Sequence, residues 1–428
     1  MLALFYMKKF ADQYLRKQNP PLYEENIPNG IYDMIVVIPC FNEPEIEGVL
    51  DSLKQCKSTK GKVLVLVVVN ASEISSESII DQNIQSLKTI EQWQQHFDES
   101  SSLELGWIQC FNMKKKWAGA GWARKLGMDR AISLFNEVDN ADGILISLDA
   151  DCVVQDNYLQ EIERYFEREI SMPGATIYFE HPLNVSDERL IDGIVFYELY
   201  MRYYKHALAW VGYPHAMYTV GSAFAVRAEA YVSQGGMNRK KAGEDFYFLH
   251  KLTPKGALGE INGTTVFPGV RISNRVPFGT GPVLQQWIDG DRSINKTYSL
   301  ESFKALRLFF EHIDVLYQCD DNQWSSVCES LPHVLKSFLE ENEIKKEIDE
   351  LSNNCTNQVV FTNRFWQLFN AFRILKFMNY ARENAYPDAD LYEEAEKLIV
   401  LMNYSDPDNI KYIEGLLELY REIDKSSN

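Results

Sequence analysis

Short apolar runs rich in β-branched residues alternate with helix-like stretches between residues 31 and 290. The runs lack strict polar alternation, so we expect each strand to be buried on both faces. Strands that alternate with helices predict an α/β layered sandwich with a mostly parallel central sheet. In such sheets ligands bind beyond the carboxyl ends of the strands. The predicted strands are Met34–Pro39, Val63–Val69, Leu103–Cys110, Ile144–Leu148, Ala175–Phe179, Tyr218–Val226 and Thr264–Phe267.

The pattern changes after about residue 290, where apolar residues recur at i, i+3, i+4 and i+7, as in the stripe from Phe365 to Leu375. This spacing predicts an all-helical region at 291–428, which packs against the preceding domain or mediates assembly, as in a homo-oligomer. We interpret residues 1–30 as a helical extension, not a signal peptide, because Lys8 and Lys9 interrupt the apolar start. We therefore expect three regions: 1–30, 31–290 and 291–428.

The 428 residues include 43 basic and 61 acidic side chains, which gives a formal net charge of −18. A chain this acidic is not expected to bind nucleic acid, because that requires a basic surface to replace phosphate counterions. Seven cysteines without a CxxC pair predict reduced thiols, not disulfides or zinc ligands. The strongest apolar run, Val63–Val69, is too short to span a bilayer. These features predict a cytoplasmic protein without an integral membrane segment.

The most informative motif follows the fourth predicted strand, where Asp149 and Asp151 come directly after an apolar run. Residues at i and i+2 project to the same side of an extended chain, so the two carboxylates are expected to converge. Converging carboxylates need a cation between them, and hard oxygen ligands suit Mg²⁺ or Mn²⁺. The alternative is that Asp149 caps a turn and Asp151 is merely exposed. We favour the metal interpretation.

Polar residues also follow the first two predicted strands. Asn42 and Glu43 come after Pro39, and Asn70 ends the second strand. A short polar side chain at this edge can hydrogen-bond a base or a ribose. It can equally cap the next helix, and for Asn70 the capping interpretation is the one that this segment alone favours.

One basic cluster stands out in the acidic chain. Three lysines at 114–116 precede a run of small residues, and Arg124 and Lys125 follow where a helix begins. Free N–H groups of a helix start, together with two cations, suit a diphosphate. A solvated basic face explains the same pattern equally well.

Adjacent acids, Glu244 and Asp245, open an apolar helix after a loop that contains Gly236 and Met237. Acids in a first helical turn are favoured by the helix dipole. The functional alternative is a general base presented beside a pocket. His250 lies further along the same helix, where a structural histidine is a better explanation than a third metal ligand.

These motifs together resemble the family 2 glycosyltransferases, which have the α/β architecture called glycosyltransferase A. The sequence VVIPCFNEPEIEGVLDSL at 36–53 is similar to the family's first strand and helix, and AGAGWARKLGMDRAI at 118–132 to its alanine-arginine-x-x-glycine segment. LDADCVV at 148–154 resembles the aspartate-x-aspartate metal motif. GGM at 235–237 and GED at 243–245 resemble the acceptor-side loop and the glutamate-aspartate motif. The resemblance covers about 34–290 and not the helical tail.

The resemblance implies an enzyme of hexosyltransferase type that moves a sugar from a nucleotide-diphosphate sugar to an acceptor hydroxyl of a glycan or small molecule. It implies inversion, Mn²⁺ or Mg²⁺ as cofactor, and Asp245, or less favourably Glu244, as the general base. The metal would face Asp149 and Asp151, with His250 as a minority candidate. Donor binding would fall to Pro39, Asn42, Glu43, Asn70, Arg124, Lys125, Asp149, Arg271 and Arg275, the last two on a loop that could instead pair with nearby acids.

On the acceptor side we expect Gly236, Met237 and Trp210, the last from an aromatic-rich insert whose tyrosines are better explained as core. The chain departs from the family after Asn70, where many members carry two aspartates, and this leaves the base open. A nucleotidyltransferase is the second interpretation, although such enzymes usually have a glycine-rich, basic loop where this chain has acidic residues. A non-catalytic scaffold is the third, disfavoured by the intact Asp149, Asp151 and Asp245.

Overall fold

The structure is a computed structural model that describes residues 8–95, 102–185, 187–238, 243–273, 279–404 and 412–426. Its strands are β1 Glu24–Asn26, β2 Met34–Cys40, β3 Val63–Ser72, β4 Leu103–Met113, β5 Ile144–Ser147, β6 Val153–Val154, β7 Gly174–Phe179, β8 Phe224–Arg227, β9 Gly259–Phe267, β10 Lys296–Thr297 and β11 Ala389–Asp390. Its helices are α1 Asp12–Leu15, α2 Ile46–Lys54, α3 Glu77–Gln94, α4 Ala120–Glu137, α5 Tyr158–Arg168, α6 Ile191–Trp210, α7 Ala228–Ser233, α8 Glu244–Leu252, α9 Thr280–Ile288, α10 Leu300–Phe310, α11 Ile313–Leu316, α12 Asp321–Ser330, α13 His333–Glu341, α14 Ile344–Asn353, α15 Gln358–Leu368, α16 Ala371–Asn384, α17 Leu391–Leu401 and α18 Ile413–Ser426.

A nine-stranded sheet in the order β1-β4-β3-β2-β5-β8-β7-β9-β6 confirms the α/β class. The contiguous strands β4, β3, β2 and β5 pair in parallel, and so do β7 and β9. The remaining neighbours pair antiparallel, so the sheet is mixed and its parallel character is strongest in one half. All seven predicted runs overlap strands of this sheet. Strand β8, which matches the sixth predicted run, begins at Phe224, whereas that run starts at Tyr218.

The parallel half owes its position to strands that are apolar on both faces. Every residue of β2 is buried, and so is every residue of β3 except Ser72. Helix α4 packs closely over these two strands because residue 127 is glycine. A Cβ at Gly127 would lie 2.5 Å from Val37 Cγ1 and 2.8 Å from Val68 Cγ2. This close contact explains the glycine of the alanine-arginine-x-x-glycine segment and sets where the start of α4 lies at the sheet edge.

The beginning of the chain differs from the predicted helical extension over the residues that the structure describes. Helix α1 is a single turn, and Glu24–Asn26 form a strand that pairs antiparallel with β4. Pro20 and Pro21 lie between these two elements, and proline disfavours continuation of a helix. This short polar segment has no apolar run from which a strand could be predicted. Its backbone forms hydrogen bonds with β4 at the edge of the sheet.

The chain divides into two compact units. One comprises Met1–Leu190, Thr219–Gln285 and Arg421–Asn428 and contains the nine-stranded sheet. The other comprises Ile191–Tyr218 and Gln286–Tyr420. The predicted boundary near residue 290 lies close to Gln286, where the second unit resumes, but it misses Ile191–Tyr218, because α6 groups with the later helices.

The second unit is helical, as the apolar spacing after residue 290 predicts, except for the two-residue strands β10 and β11, which pair antiparallel. Its core includes the stacked rings of Phe365 and Phe369, which both contact Phe309. The stripe from Phe365 to Leu375 is divided between α15 and α16. The break occurs because the Asn370 side chain accepts hydrogen bonds from the first backbone N–H groups of α16 and caps it. Within the described residues, none of the helices has the length and apolar character required to cross a bilayer.

Candidate active site

The site lies at the carboxyl end of β5, where the antiparallel strand β8 begins. Ser147 on β5 is paired with Phe224 on β8, so the turn that precedes β8 is brought to the same edge as the residues that follow β5. The Ser147 hydroxyl donates a 2.6 Å hydrogen bond to the carbonyl oxygen of Gly221. This bond fixes the turn beside the segment that carries Asp149 and Asp151.

Arg124 occupies the centre of the site. It lies near the start of α4, and its side chain is only 3% exposed. Nη2 donates to Asp149 Oδ1 at 2.5 Å, and Nη1 donates to Glu244. Burial alone would lower the pKa of the guanidinium, but the Asp149 and Glu244 carboxylates raise it. Arg124 therefore remains charged and joins residues from β5 and α8.

The two acids at the start of α8 differ in exposure. Glu244 is buried against Arg124, whereas Asp245 is partly exposed. The Asp245 Oδ1 atom accepts a 2.7 Å hydrogen bond from the backbone N–H of Phe246. Burial raises the pKa of Glu244 and of Asp245, although Arg124 opposes the rise at both. Asp245 is thus the acid of the pair with exposed surface, and its proton affinity is greater than that of an ordinary aspartate.

A second cluster contains the other aspartate of the motif. The Arg271 guanidinium donates to Glu43, which is fully buried, and its Nη2 lies 3.4 Å from Asp151 Oδ2. The Asp151 side chain keeps 32% of its surface exposed. Asp149 and Asp151 are therefore close in sequence but bound to different arginines.

Asn42 and Asn70 form part of the scaffold beneath this edge. Asn70 Nδ2 donates to the carbonyl oxygen of Cys40 at 2.9 Å, and Asn83 on α3 donates to the carbonyl oxygen of Asn70 at 2.8 Å. Asn83 also accepts from the backbone N–H of Asn42, which has a φ of 49°. These bonds support a structural role for Asn70 in holding the turn after β2. Pro39 is buried within β2 itself.

Lys125 points away from Arg124 and into another polar cluster. Its Nζ donates to Asp129 Oδ2 at 2.7 Å, to the Tyr14 hydroxyl at 3.1 Å and to Gln18 Oε1 at 3.1 Å. Tyr14 and Tyr231 both donate to the other oxygen of Asp129. The predicted donor contact of Lys125 is not supported, because its side chain is buried among these partners.

The predicted acceptor residues of the glycine loop border the Lys125 cluster. Gly236 has a φ of 66°, and a Cβ there would collide with the Tyr14 hydroxyl. Its carbonyl oxygen accepts from Lys251 Nζ at 3.3 Å. Met237 is 2% exposed. Both residues are packed against the protein, so an acceptor role for them stays a prediction that their packing does not favour.

The predicted metal set of Asp149, Asp151 and His250 does not converge. Over the part of the chain that the structure describes, no three histidine, cysteine or acidic side chains are grouped to hold a metal ion. The His250 ring lies 4.6 Å from that of Phe246 on the same helix, as a structural histidine would. At most the two aspartates remain as protein ligands.

Two further predicted residues lie elsewhere. In the second unit, the Arg307 guanidinium lies 4.4 Å from the centre of the Trp210 ring and covers that face. The acceptor role of Trp210 stays a prediction. Arg275 lies outside the described residues.

The site therefore brings together Asp149, Arg124, Glu244 and Asp245, all named from the sequence. The sequence interpretation missed Ser147 and Gly221, which border this group, and Asn83, which holds Asn42 and Asn70. A glycine and a serine beside the end of β5 were the available signal for the first two. Asn83 had no signal other than an uncharged polar residue on the face of α3 that is buried.

Comparison with known proteins identifies a family for residues 35–232. The model of Glycosyl transferase family 2 matches residues 35–232. No curated protein matches the chain. Three solved structures are examples of those similar to this chain. S. aureus TarS 1–349 is 13% identical with a TM-score of 0.39, and covers 74% of this chain and 88% of its own. The same TarS fragment with UDP-GlcNAc gives 13% identity, a TM-score of 0.40 and the same coverage.

The third is the mannosyltransferase PcManGT from Pyrobaculum calidifontis with GDP-Man and Mn²⁺. It is 12% identical with a TM-score of 0.36, and covers 84% of this chain and 93% of its own. The family match spans β2 to α7 and includes the Arg124 segment and the Asp149–Asp151 motif. Residues 35–232 therefore form a family 2 glycosyltransferase domain, and the enzyme is a glycosyltransferase.

Proposed function

We propose that this glycosyltransferase moves a sugar from a nucleotide-diphosphate sugar to an acceptor hydroxyl with inversion of configuration, and that Asp245 is its general base. The observation that supports this proposal is the single bonded group formed by Asp149, Arg124 and Glu244 at the end of β5, with the partly exposed Asp245 beside it. A carboxylate beside the metal motif is what an attack on an anomeric carbon requires.

The proposed step balances as a direct displacement. The acceptor oxygen forms a bond to the anomeric carbon while the bond from that carbon to the diphosphate oxygen breaks. The acceptor proton passes to the Asp245 carboxylate, and the nucleoside diphosphate leaves with the electron pair of the broken bond. Asp245 suits this role because its raised pKa makes it a stronger proton acceptor than an ordinary aspartate.

A divalent cation fits this site only if the substrate supplies some of its ligands. The available protein ligands are the oxygens of Asp149 and Asp151, whose side chains are 37% and 32% exposed. Carboxylate oxygens suit Mn²⁺ or Mg²⁺, and Mg²⁺ is commonly held by one or two carboxylates together with substrate phosphates. When bound, the cation would neutralise charge that grows on the departing diphosphate.

Asp151 is the better placed of the two for a cation. Asp149 is held at 2.5 Å by the buried Arg124, whereas Asp151 lies 3.4 Å from an arginine that remains 26% exposed. Arg271 is also near enough to the same edge to contact a diphosphate. The donor-binding assignments of Arg271 and Glu43 rest on this proximity.

The remaining assignments are proposals of the same kind. We place the enzyme in the cytoplasm, which the seven free thiols support because disulfides are rare there. We assign assembly to the helical region after residue 290, and the acceptor to a glycan or a small hydroxyl compound.

The test is a donor screen with purified protein and Mn²⁺ across UDP- and GDP-linked sugars. Release of sugar or transfer to an acceptor is the expected result, while release of pyrophosphate would identify a nucleotidyltransferase instead. Absence of any nucleotide binding by calorimetry would favour a non-catalytic scaffold and reject the proposal.

Two variants separate binding from turnover. Asp151→Ala should abolish metal-dependent nucleotide binding. Asp245→Asn should keep nucleotide binding and lose turnover by about 100-fold or more, as expected for removal of a general base. Asp156→Ala is a matched control, because Asp156 is 55% exposed and pairs only with a surface lysine among the described ion pairs. Full activity of Asp245→Asn would show that another group takes the proton.

A further inference from the structure

The Arg124 side chain uses both ends of its guanidinium within the protein. Nη2 donates to Asp149 Oδ1 at 2.5 Å, and Nη1 donates to Glu244, which is 120 residues later in the chain. The Arg124 side chain is 3% exposed, and the Glu244 side chain 5%. A planar fork with two terminal nitrogens can serve two carboxylates at once, whereas a lysine has a single nitrogen. The two terminal nitrogens of Arg124 are therefore directed at acids, and its Nε is buried without a hydrogen-bond partner among the described residues.

A glycine allows this arrangement to include Asp245. A Cβ at Gly221 would lie 3.0 Å from Asp245 Oδ2 and 3.1 Å from Arg124 Nη2. The bond from Ser147 to the Gly221 carbonyl oxygen fixes this backbone against β5. Gly221 is thus in contact with the guanidinium and with the candidate base at the same time, and no larger residue fits without moving one of them.

The positive charge of Arg124 balances the negative charges of the acids around it. Asp149, Glu244 and Asp245 are three acids around one buried cation. Without that cation the acids would repel each other in a poorly hydrated region, and removal of one partner from a buried ion pair leaves the other uncompensated. The first turn of α8 would then have no electrostatic reason to stay beside β5.

We propose, resting on the proposed function, that Arg124 is a positioning residue and not a diphosphate ligand. It links the donor-side Asp149 to the acceptor-side Glu244 and thereby holds Asp245 where the acceptor oxygen arrives. Gly221 contributes to the same arrangement, because the absence of a side chain at this position leaves room for both the Asp245 carboxylate and the Arg124 guanidinium.

The first test is Arg124→Lys, which keeps the charge and loses the fork. Its kcat should fall about 100-fold, since a shift of about 1 Å in a catalytic group has effects of that order. The Kd for the nucleoside diphosphate with Mn²⁺, measured by calorimetry, should change less than about threefold. A Kd weakened about tenfold or more with kcat retained would identify a direct diphosphate ligand and overturn the proposal. Arg130→Lys on the same helix is the control, because Arg130 pairs with Glu25, a residue outside the Arg124 group, and both side chains are partly exposed.

The second test is Gly221→Ala, which removes no charge and no hydrogen-bonding group. Its kcat should fall about tenfold while the Kd for nucleoside diphosphate stays the same, because the methyl group displaces Asp245 or Arg124. Gly48→Ala is the matched control, since a Cβ at Gly48 meets nothing within 4 Å. An unchanged kcat in Gly221→Ala would reject the proposed role of Gly221 in placing Asp245 and Arg124.

A third measurement examines the link without turnover. In urea unfolding, Arg124→Met leaves Glu244 without its partner, and Glu244→Gln leaves Arg124 without this carboxylate. The double variant Arg124→Met with Glu244→Gln removes both charges, so its loss of stability should be smaller than the sum of the losses of the two single variants. Additive losses would reject the link itself. A wild-type protein that binds nucleotide but transfers no sugar would reject the proposed function, and with it the positioning role, while a non-additive cycle would still establish the link.

Discussion

The acids of this site differ in their surroundings because of their neighbours and not their residue type. Asp149 is bound by Arg124, Asp151 faces Arg271, and Asp245 is partly exposed beside the guanidinium. Each of these environments depends on partners at least 25 residues away. A motif therefore names the acids, and the folded chain decides which of them can accept a proton.

The raised pKa of Asp245 has a consequence for the pH dependence of activity. The base must be ionised, so activity is lost when falling pH protonates it. Because burial raises the pKa and Arg124 only partly opposes this, the acid limb should lie above the ordinary aspartate value of about 4. The Asp149 carboxylate, which faces the same cation, contributes to the rise of the Asp245 pKa. A profile of kcat/KM against pH checks this, and a midpoint at or below about 4 would contradict it.

At the scale of elements, the position of helix α4 decides where Arg124 lies. The helix approaches β2 and β3 closely at Gly127, and Arg124 lies three residues, about one turn, before this contact. The same helix turns Lys125 elsewhere, because consecutive helical residues point about 100° apart. One residue reaches the site, and its neighbour is buried with Tyr14, Gln18 and Asp129.

Gly127→Ala should destabilise the protein by about 1–3 kcal/mol, the usual cost of an added methyl group in a packed core. The new Cβ would lie 2.5 Å from Val37 Cγ1, so the helix or the strand must move. Urea unfolding measures the loss. Gly48→Ala in α2 is again the comparison and should be neutral or stabilising, because its Cβ meets nothing and alanine favours a helix. Equal stabilities of the two variants would show that α4 does not depend on the glycine.

At the scale of the whole molecule, the chain returns at its end to the unit that contains the sheet. Arg421 donates to the carbonyl oxygen of His181 at 2.9 Å, and Lys425 pairs with Glu180 at 2.9 Å. Both partners directly follow β7. The last turns of α18 therefore contribute to the glycosyltransferase unit, although they lie almost 190 residues beyond the end of the family match.

Arg421→Ala should lower the free energy of unfolding by about 1.5–3 kcal/mol, the range for a hydrogen bond that involves a charged group. The effect should appear in the thermal unfolding of the unit that is proposed to bind nucleotide, followed as the loss of nucleotide-dependent stabilisation. Glu422→Ala is the control, because Glu422 is exposed. If both variants unfold like the wild type, the chain end contributes nothing to that unit.

The sequence by itself determined the seven strands that coincide with apolar runs, most of the helical tail and the acids of the site. Apolar β-branched runs without polar alternation have few ways to be buried except in a covered sheet, and a periodic stripe has few except in a helix. Asp149, Glu244, Asp245 and Arg124 were recognisable because each lies in a local pattern. Those features depend on neighbours within a few residues.

Only the tertiary structure decided what these residues touch. The links from Arg124 to Glu244 and from Arg271 to Glu43 span 120 and 228 residues, and no local pattern encodes such a pairing. The same holds for the mixed half of the sheet, for the burial of Lys125 and for the separation of Asp149 from Asp151. Long-range contacts depend on which strands become neighbours and on where glycines let them approach, and both are properties of the folded chain.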